Sequence, residues 1–493
     1  MKEIEKMNFW FITGSQDLYG EETLLQVKEN SLQVVNRLNE TSLPYQIIWK
    51  PIVKSSNGIF SVIQEANNDP LCAGIICWMH TFSPAKMWIR GLSVLEKPLL
   101  HLNTQFNEDI PYDTIDMDFM NLNQSAHGDR EFGHITARMK IPRKIIAGHW
   151  SHKEVQNRID TWMRAAAAYS DGKKLVVVRF GDNMREVAVT DGDKVEAMIH
   201  LGWSVPYFGV GDLVDYIKNV PNHAIENRIA QYFQRYSFDQ KKSSNFNMEH
   251  IKEQARIEEA LRSFLEDNEA KAFTTNFQDL HGMKQLPGLA CQNMMADGFG
   301  FAGEGDWKTA AMVRTLKVMA KGLPGGVSFM EDYTYHLEKG NQMILGAHML
   351  EICPSVAEAQ PRIEVHQLGI GGKEDPARLV FDGKAGKAFC TAIVDMGNRF
   401  RLVLNEVETV KAPKPFPKLP VARLLWKPLP NFATSAEAWI LAGGGHHTTY
   451  SNSLTQDHIH DYAEITKTEL LIIEEDTKIS EFKDRIRWND KAY

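Results

Sequence analysis

Thiols are scarce in this chain: its 493 residues include five cysteines, Cys72, Cys77, Cys291, Cys353 and Cys390. An odd and scattered set argues against a disulfide framework and suits a reducing compartment, so the cytoplasm is the expected location. Long apolar runs are missing as well. The opening MKEIEKMNFWFITGSQ has mixed charges and only a short apolar stretch before Gly14 and Ser15, which fits neither a signal peptide nor a membrane span. Nor is there an excess of positive charge. With 55 Lys and Arg against 63 Asp and Glu the formal charge is -8, which offers no general attraction to phosphate backbones or anionic lipid. Neither nucleic acid nor a membrane is an expected partner. Familiar short motifs are also lacking. GIGGKED has no following Lys-Ser/Thr pair of a phosphate loop, ITGSQDLYG lacks GxGxxG, and neither HExxH nor paired CxxC occurs.

The composition, 43% hydrophobic and 24% charged, is that of a folded globular chain, too long for a single core. After FWFITG, the residues Leu24, Val27, Val34 and Leu38 fall near helical spacing, and YQIIWKPIV then reads as a strand. CAGIICWMH, PAKMWIRGLSVL and KPLLHLN repeat that strand, helix, strand order, which predicts a doubly wound parallel sheet over the first third. Cys72 and Cys77, in one of these apolar runs, read as packing residues. The loops GSQDLYG and HTFSPAK lie at the predicted strand ends, where small ligands bind such sheets, and they carry Gln16, Tyr19 and His80. A second α/β unit begins at KKLVVVRFGDNMREV. Beyond KGLPGG, short β-prone runs from VSFMEDYTYHL to RFRLVLNEVETV predict an antiparallel sheet or barrel with some terminal helices. The expected domains are 1–174, 175–325 and 326–493.

Chemistry concentrates in the second half. In FAGEGDWKTAAMVR, Glu304 and Asp306 stand in a glycine loop before a helix starting near Trp307. Asp306 can serve as a plain helix cap and Glu304 as a solvated carboxylate, yet the apolar approach DGFGFAG suggests a buried loop, where a carboxylate needs a partner. Glu331 in SFMEDYTYHL reads equally as an edge-strand charge, and His348 in ILGAHMLEICPS as a satisfied core histidine, with Glu351 close behind. Taken together with a histidine of GGGHHTTY, these residues make a set of two glutamates and two histidines without thiolate. Such a set suits a hard to borderline divalent ion, Mn2+ being one such ion and Zn2+ or Co2+ able to compete.

The segments FWFITGSQDLYG, HTFSPAKMWIRGL, RFGDNMREVAVTDGDKVEA, GEGDWKTAAMVR, MEDYTYHL, GAHMLEICPS and GGGHHT, in this order and over essentially the whole chain, resemble the bacterial L-arabinose isomerase family. The resemblance implies two Rossmann-like doubly wound α/β domains followed by a C-terminal antiparallel β-barrel-like domain. It implies one Mn2+ per subunit, replaceable by Co2+, on Glu304, Glu331, His348 and His447, with Glu304 and Glu331 also the acid-base pair. Asp306 and Glu351 are expected to orient the ligands. Substrate contacts carried over are Gln16, Leu18, Met184, Phe277, Phe329, Ile370 and His446, plain packing being the alternative for the apolar ones. The reaction implied interconverts L-arabinose and L-ribulose through a cis-enediolate, with D-galactose to D-tagatose as a side activity. The assembly implied is a hexamer in which the first-domain loop reaches a neighbouring subunit's site.

Competing readings are a sibling L-fucose-type isomerase, a non-catalytic sugar-binding protein and a metal-dependent hydrolase. A binder has no evident use for the ligand set, and a hydrolase needs an activated water and changes the mass of its substrate.

Overall fold

The computed structural model describes residues 4–239, 245–369 and 372–493. The chain divides into two compact units, Met1–Ser170 with Asp457–Lys467, and Asp171–Gln456 with Thr468–Tyr493. No described helix is long and apolar enough to cross a membrane.

The first unit is built on a parallel sheet of β1 (Asn8–Gly14), β2 (Gln46–Trp49), β3 (Cys72–Met79), β4 (Leu99–Asn103) and β5 (Lys144–Ala147), in the order β2-β1-β3-β4-β5. Helices covering both faces make central strands uniformly apolar, and all eight residues of β3 are buried, Cys72 and Cys77 among them. The helix Gly20–Asn39 turns Val27, Val34, Val35 and Leu38 inward. Strand order reverses between β1 and β3, so the loops leaving those two strands border the crevice in which doubly wound sheets hold ligands. The loops are tied together: Ser15 Oγ lies 2.7 Å from Thr81 Oγ1, and Gln16 Nε2 donates to the Phe82 carbonyl at 3.1 Å. His80 is buried, stacked on Trp78, and burial lowers its pKa to about 4.

The second unit combines two sheets. A parallel sheet holds β6 (Val177–Phe180), β7 (Tyr207–Phe208), β8 (Ala272–Thr275) and β9 (Gly300–Ala302), ordered β7-β6-β8-β9. Beyond it lie β10 (Val327–His336), β11 (Met343–Ala347), β12 (Arg362–Val365), β13 (Ala377–Val380), β14 (Gly386–Asp395), β15 (Phe400–Val410), β16 (Arg423–Pro428), β17 (His447–Ser451) and β18 (Glu469–Ile473). Six of them, ordered β14-β17-β10-β11-β16-β15, form a barrel that closes through antiparallel pairing of β15 with β14, and β18 adds parallel to β15. The expected α/β sheets and C-terminal barrel are therefore both present. Two details differ from the sequence reading. The runs RIEVHQL and ARLVFDG pair with each other as β12 and β13 instead of joining the barrel, while HTTYS, which lies beyond the β-prone runs picked out in the sequence, is the barrel strand β17. Two threonines and a tyrosine after the glycines give that segment the shape a pleated surface favours.

Between the sheets runs the helix Trp307–Met319, buried along its entire length. Its three cations are satisfied inside: Arg314 by Asp171 and the Gly298 carbonyl at 2.9 Å, Lys317 by the Val327 carbonyl at 2.7 Å, and Lys308 by the carbonyls of Val189 and Asp191. Buried charges persist only with such partners. The barrel itself is tightly filled at Gly346 on β11, where an added Cβ would lie 2.0 Å from the Trp426 ring of β16. Gly346→Ala is expected to cost on the order of 1–3 kcal/mol by overpacking, read as a melting temperature several degrees lower. An unchanged melting curve would show that the Trp426 ring yields freely.

Candidate metal centre and active site

Barrel register brings together residues that are remote in the chain. Glu331 on β10 lies opposite His447 on β17 and, on its other side, opposite Ala347, the last residue of β11. His348 follows at once, so three adjacent strands deliver Glu331, His348 and His447 to one place. Glu304 arrives from the parallel sheet, in the turn between β9 and the helix at Trp307. That turn is sharp: Glu304 has φ +61° and Gly305 φ +78°. A non-glycine residue held there stores strain, a recurring feature of functional sites. A side chain at Gly305 would meet the Asn183 backbone at 2.6 Å, and the turn is held by Gly305 N–H donating to the Thr275 carbonyl and Met184 N–H to the Glu304 carbonyl.

Two carboxylates orient the imidazoles. Asp306 caps the helix through Thr309, accepting from its N–H at 3.1 Å and its hydroxyl at 2.7 Å, and it also lies 3.1 Å from His447 Nδ1. Burial alone would raise its pKa, but the Lys308 ammonium, 3.7 Å away, with His447 and Thr309 brings it down to about 2. As a permanent carboxylate it can only accept, so His447 carries its proton on Nδ1 and presents the bare Nε2. That nitrogen is buried without a hydrogen-bond partner, 3.6 Å from Glu304 Oε2. Glu351 plays the same part for His348, taking the Nδ1 proton while accepting from Leu350 N–H at 3.0 Å. His348 Nε2 then faces Glu331 Oε2 at 4.0 Å. The Phe329 ring packs 4.9 Å from His348 and 5.1 Å from His447.

Ligating atoms of Glu304, His348 and His447 lie within 4.8 Å of one another, as do those of Glu331, His446 and His447. The Nε2 atoms of His447 and His348 and two carboxylates therefore converge, each imidazole backed by a carboxylate as in metal sites generally. An orphaned, buried Nε2 on His447 is the observation that fits a divalent ion best. Charges without the ion are consistent with this. Burial opposes ionisation of Glu304, yet the neighbouring imidazoles of His446, His447 and His348 hold its pKa below the usual range. Burial would depress His348, but Glu351, with Glu331 and Glu304, raises it to about 9.

The other expected residues are placed as follows. Met184 sits against the Glu304 turn through its backbone. Phe277 follows β8, which pairs in parallel with the β9 strand leading to Glu304. Phe329 is wholly buried. His446, half-buried, has Nε2 3.9 Å from Glu304 Oε2. Gln16 and Leu18 belong to the first unit, Leu18 being 81% exposed. Ile370 lies outside the described residues. Two groups had escaped sequence reasoning. Lys308, buried beside Asp306, looks like any helical lysine in the sequence. Asp332 is half-buried next to Glu331, its Oδ1 shut off from solvent, and desolvation followed by the Glu331 charge raises its pKa to about 7; the strand alternation that puts it on the opposite face was the available signal.

An α/β chain with a closed barrel, carrying convergent carboxylates and imidazoles on a strained turn, is built as an enzyme. Family models of the N-terminal, central and C-terminal domains of L-arabinose isomerase match residues 3–174, 176–322 and 326–469. L-arabinose isomerase of Geobacillus stearothermophilus is 58% identical over 492 residues, 99% of either chain. That of Thermotoga petrophila is 55% identical over 491 residues, covering 99% of this chain and 98% of its own. L-arabinose isomerase 1 of Bacillus licheniformis is 58% identical over 485 residues, 98% of this chain and 97% of its own. The chain belongs to the L-arabinose isomerase family, and the protein is an enzyme of the isomerase class.

Asp306→Asn keeps a competent helix cap but loses the charge that fixes the His447 tautomer. Affinity for a divalent ion is expected to fall about 10–100-fold, measured by titration calorimetry with Mn2+, while far-ultraviolet circular dichroism stays unchanged. Unaltered affinity would remove Asp306 from this role.

Proposed function

We propose that this enzyme interconverts L-arabinose and L-ribulose, with D-galactose to D-tagatose as a side activity, and that Mn2+ is held by Glu304, Glu331, His348 and His447. The observation that carries the reading is the convergence of two carboxylates with two oriented imidazoles, one of them the buried and unpartnered Nε2 of His447, in a chain of this family. Co2+ would satisfy the same oxygen and nitrogen donors. When bound, the ion supplies Lewis-acid stabilisation of the negative charge that develops on O1 and O2 of the sugar.

The hard step is loss of the proton on C2 beside the C1 carbonyl. Glu304 and Glu331 are the groups able to take that proton from C2 and return it to C1, giving a cis-enediolate in between. Glu304 suits the task of a base at neutral pH because its imidazole neighbours keep it ionised. His446, beside Glu304 and with its pKa raised first by that carboxylate, can pass the hydroxyl proton between O2 and O1. Asp306 and Glu351 hold the two ligand imidazoles in their tautomers, and Lys308 keeps Asp306 charged. Met184, Phe277, Phe329 and Ile370 would shape the pocket around the carbon chain. Gln16 and Leu18 would complete it from a neighbouring subunit of a hexamer, a role compatible with the exposure of Leu18. We further propose the domain limits 1–174, 175–325 and 326–493 and a cytoplasmic location.

Product analysis tests the reading. EDTA-stripped protein given L-arabinose should form a ketose of unchanged mass only when Mn2+ is restored. Glu304→Gln or Glu331→Gln should lower kcat by about 10²–10⁴-fold. Sugar binding without any ketose would sink the proposal.

Proton linkage gives a second check. In the ion-free protein His348 is protonated below its raised pKa of about 9, and ligation requires the neutral ring. Binding must therefore release a proton, and affinity should weaken about tenfold for each pH unit lowered near neutrality. Calorimetry in buffers of different ionisation enthalpy reads the proton directly. Affinity independent of pH would exclude His348 as a ligand.

A further inference from the structure

A second group of metal-ligating side chains stands in the first unit, on the loops that leave β4 and β5. Glu108, His149 and His152 each offer an atom, all within 4.8 Å of one another. Glu108 Oε1 lies 2.8 Å from His152 Nε2, and the two imidazole rings are 5.3 Å apart. The loop bearing the histidines is fixed to the sheet: Gly148 N–H donates to the Asn103 carbonyl at 3.1 Å, and Trp150 N–H to Thr104 Oγ1 at 3.0 Å. His152 lies at the start of the helix Lys153–Gly172, where its own N–H reaches the His149 carbonyl at 2.9 Å.

Each ring also has an acceptor near its other nitrogen. The Phe106 carbonyl is 3.3 Å from His149 Nε2, and Glu154 Oε1 is 3.7 Å from His152 Nδ1. Partners of that kind fix the tautomer of ligating imidazoles; His149 Nδ1 lies 2.7 Å from Ser151 Oγ, a hydroxyl that an ion bound through that nitrogen would displace. Beside the triad opens a cavity of about 490 Å³, to which Glu108 and His149 contribute walls together with His101 and Asp129. In that wall His101 Nε2 is 2.9 Å from Asp129 Oδ1, while its Nδ1 is buried with no hydrogen-bond partner. The ends of parallel strands are where this fold class receives ligands. Neither the proposed isomerisation nor any residue resemblance uses these groups.

We propose that Glu108, His149 and His152 form a second divalent-ion site, selective for a borderline ion such as Zn2+. Two imidazoles and one carboxylate without thiolate are the donors that such ions take, and three protein ligands leave a coordination position for water or for a molecule in the adjoining cavity. The site draws no residue from the isomerase centre.

Equilibrium dialysis of the full-length, EDTA-stripped protein against Zn2+, with bound metal counted by mass spectrometry, tests this. His149→Ala/His152→Ala should bind one ion fewer per chain than the unaltered protein and keep its Mn2+-dependent isomerase activity. His348→Ala should retain the ion that the double variant loses. Glu108→Gln, at an exposed position where folding is not at risk, should weaken that ion about tenfold or more. Equal stoichiometry in the double variant and the parent, or undiminished affinity in Glu108→Gln, would overturn the proposal.

Discussion

The contact between Asp306 and His447 links the parts of the second unit that make the site. One carboxylate closes the first turn of the buried helix Trp307–Met319 and, with another lone pair, takes the Nδ1 proton of a histidine on barrel strand β17. Local and long-range structure thus meet in one side chain. The cap decides where the helix begins, and the hydrogen bond decides which nitrogen of His447 faces Glu304. Lys308 makes the arrangement possible, because an unaccompanied carboxylate at this depth would take up a proton and lose its power to set the tautomer. Its ammonium in turn is held by backbone carbonyls of the 189–191 segment, so the electrostatics reach back to the parallel sheet.

Barrel closure supplies the second constraint. Glu331 can face His447 and stand beside His348 only if β10 pairs with β17 on one edge and β11 on the other in a fixed register. A slip of one residue would turn the Glu331 side chain to the opposite face, where Asp332 now lies. Packing enforces the register: Gly346 leaves room for the Trp426 ring, and a bulge between Asp332 and Thr334 lets the end of β10 run on beyond the site. The positive φ of Glu304 is the corresponding strain on the other side of the pocket, sustained by hydrogen bonds from Met184 and Gly305 that secure the turn.

The first unit follows a different economy. Its apolar central strands need little polar machinery, and the polar groups it does bury collect at the carboxyl ends of the strands, in the Ser15–Thr81 and His101–Asp129 pairs. Those ends are where backbone leaves the sheet and side chains from separate loops can meet, which is the reason sites gather there. His80, which its loop position offered as a ligand contact, is instead stacked under Trp78 and held neutral by burial.

Local patterning determined much by itself. Apolar runs such as CAGIICWM announced parallel strands, the spacing of Val27, Val34 and Leu38 announced a helix, and Asp306 just before Trp307 announced a cap. These were legible because periodicity and capping depend on neighbours within a few residues. Long motifs such as GEGDWKTAAMVR and MEDYTYHL carried the family and, through it, the candidate ligands. Only the tertiary structure decided that Glu304, Glu331, His348 and His447 converge, that HTTYS is a strand and that RIEVHQL stays out of the barrel. Nor could sequence reveal the burial of Lys308, the desolvation of the Asp332 carboxylate or the meeting of Glu108 with His149 and His152. The physical reason is the same throughout. Strand register and side-chain burial are settled by closure and packing among segments tens to hundreds of residues apart, and no local spacing records them.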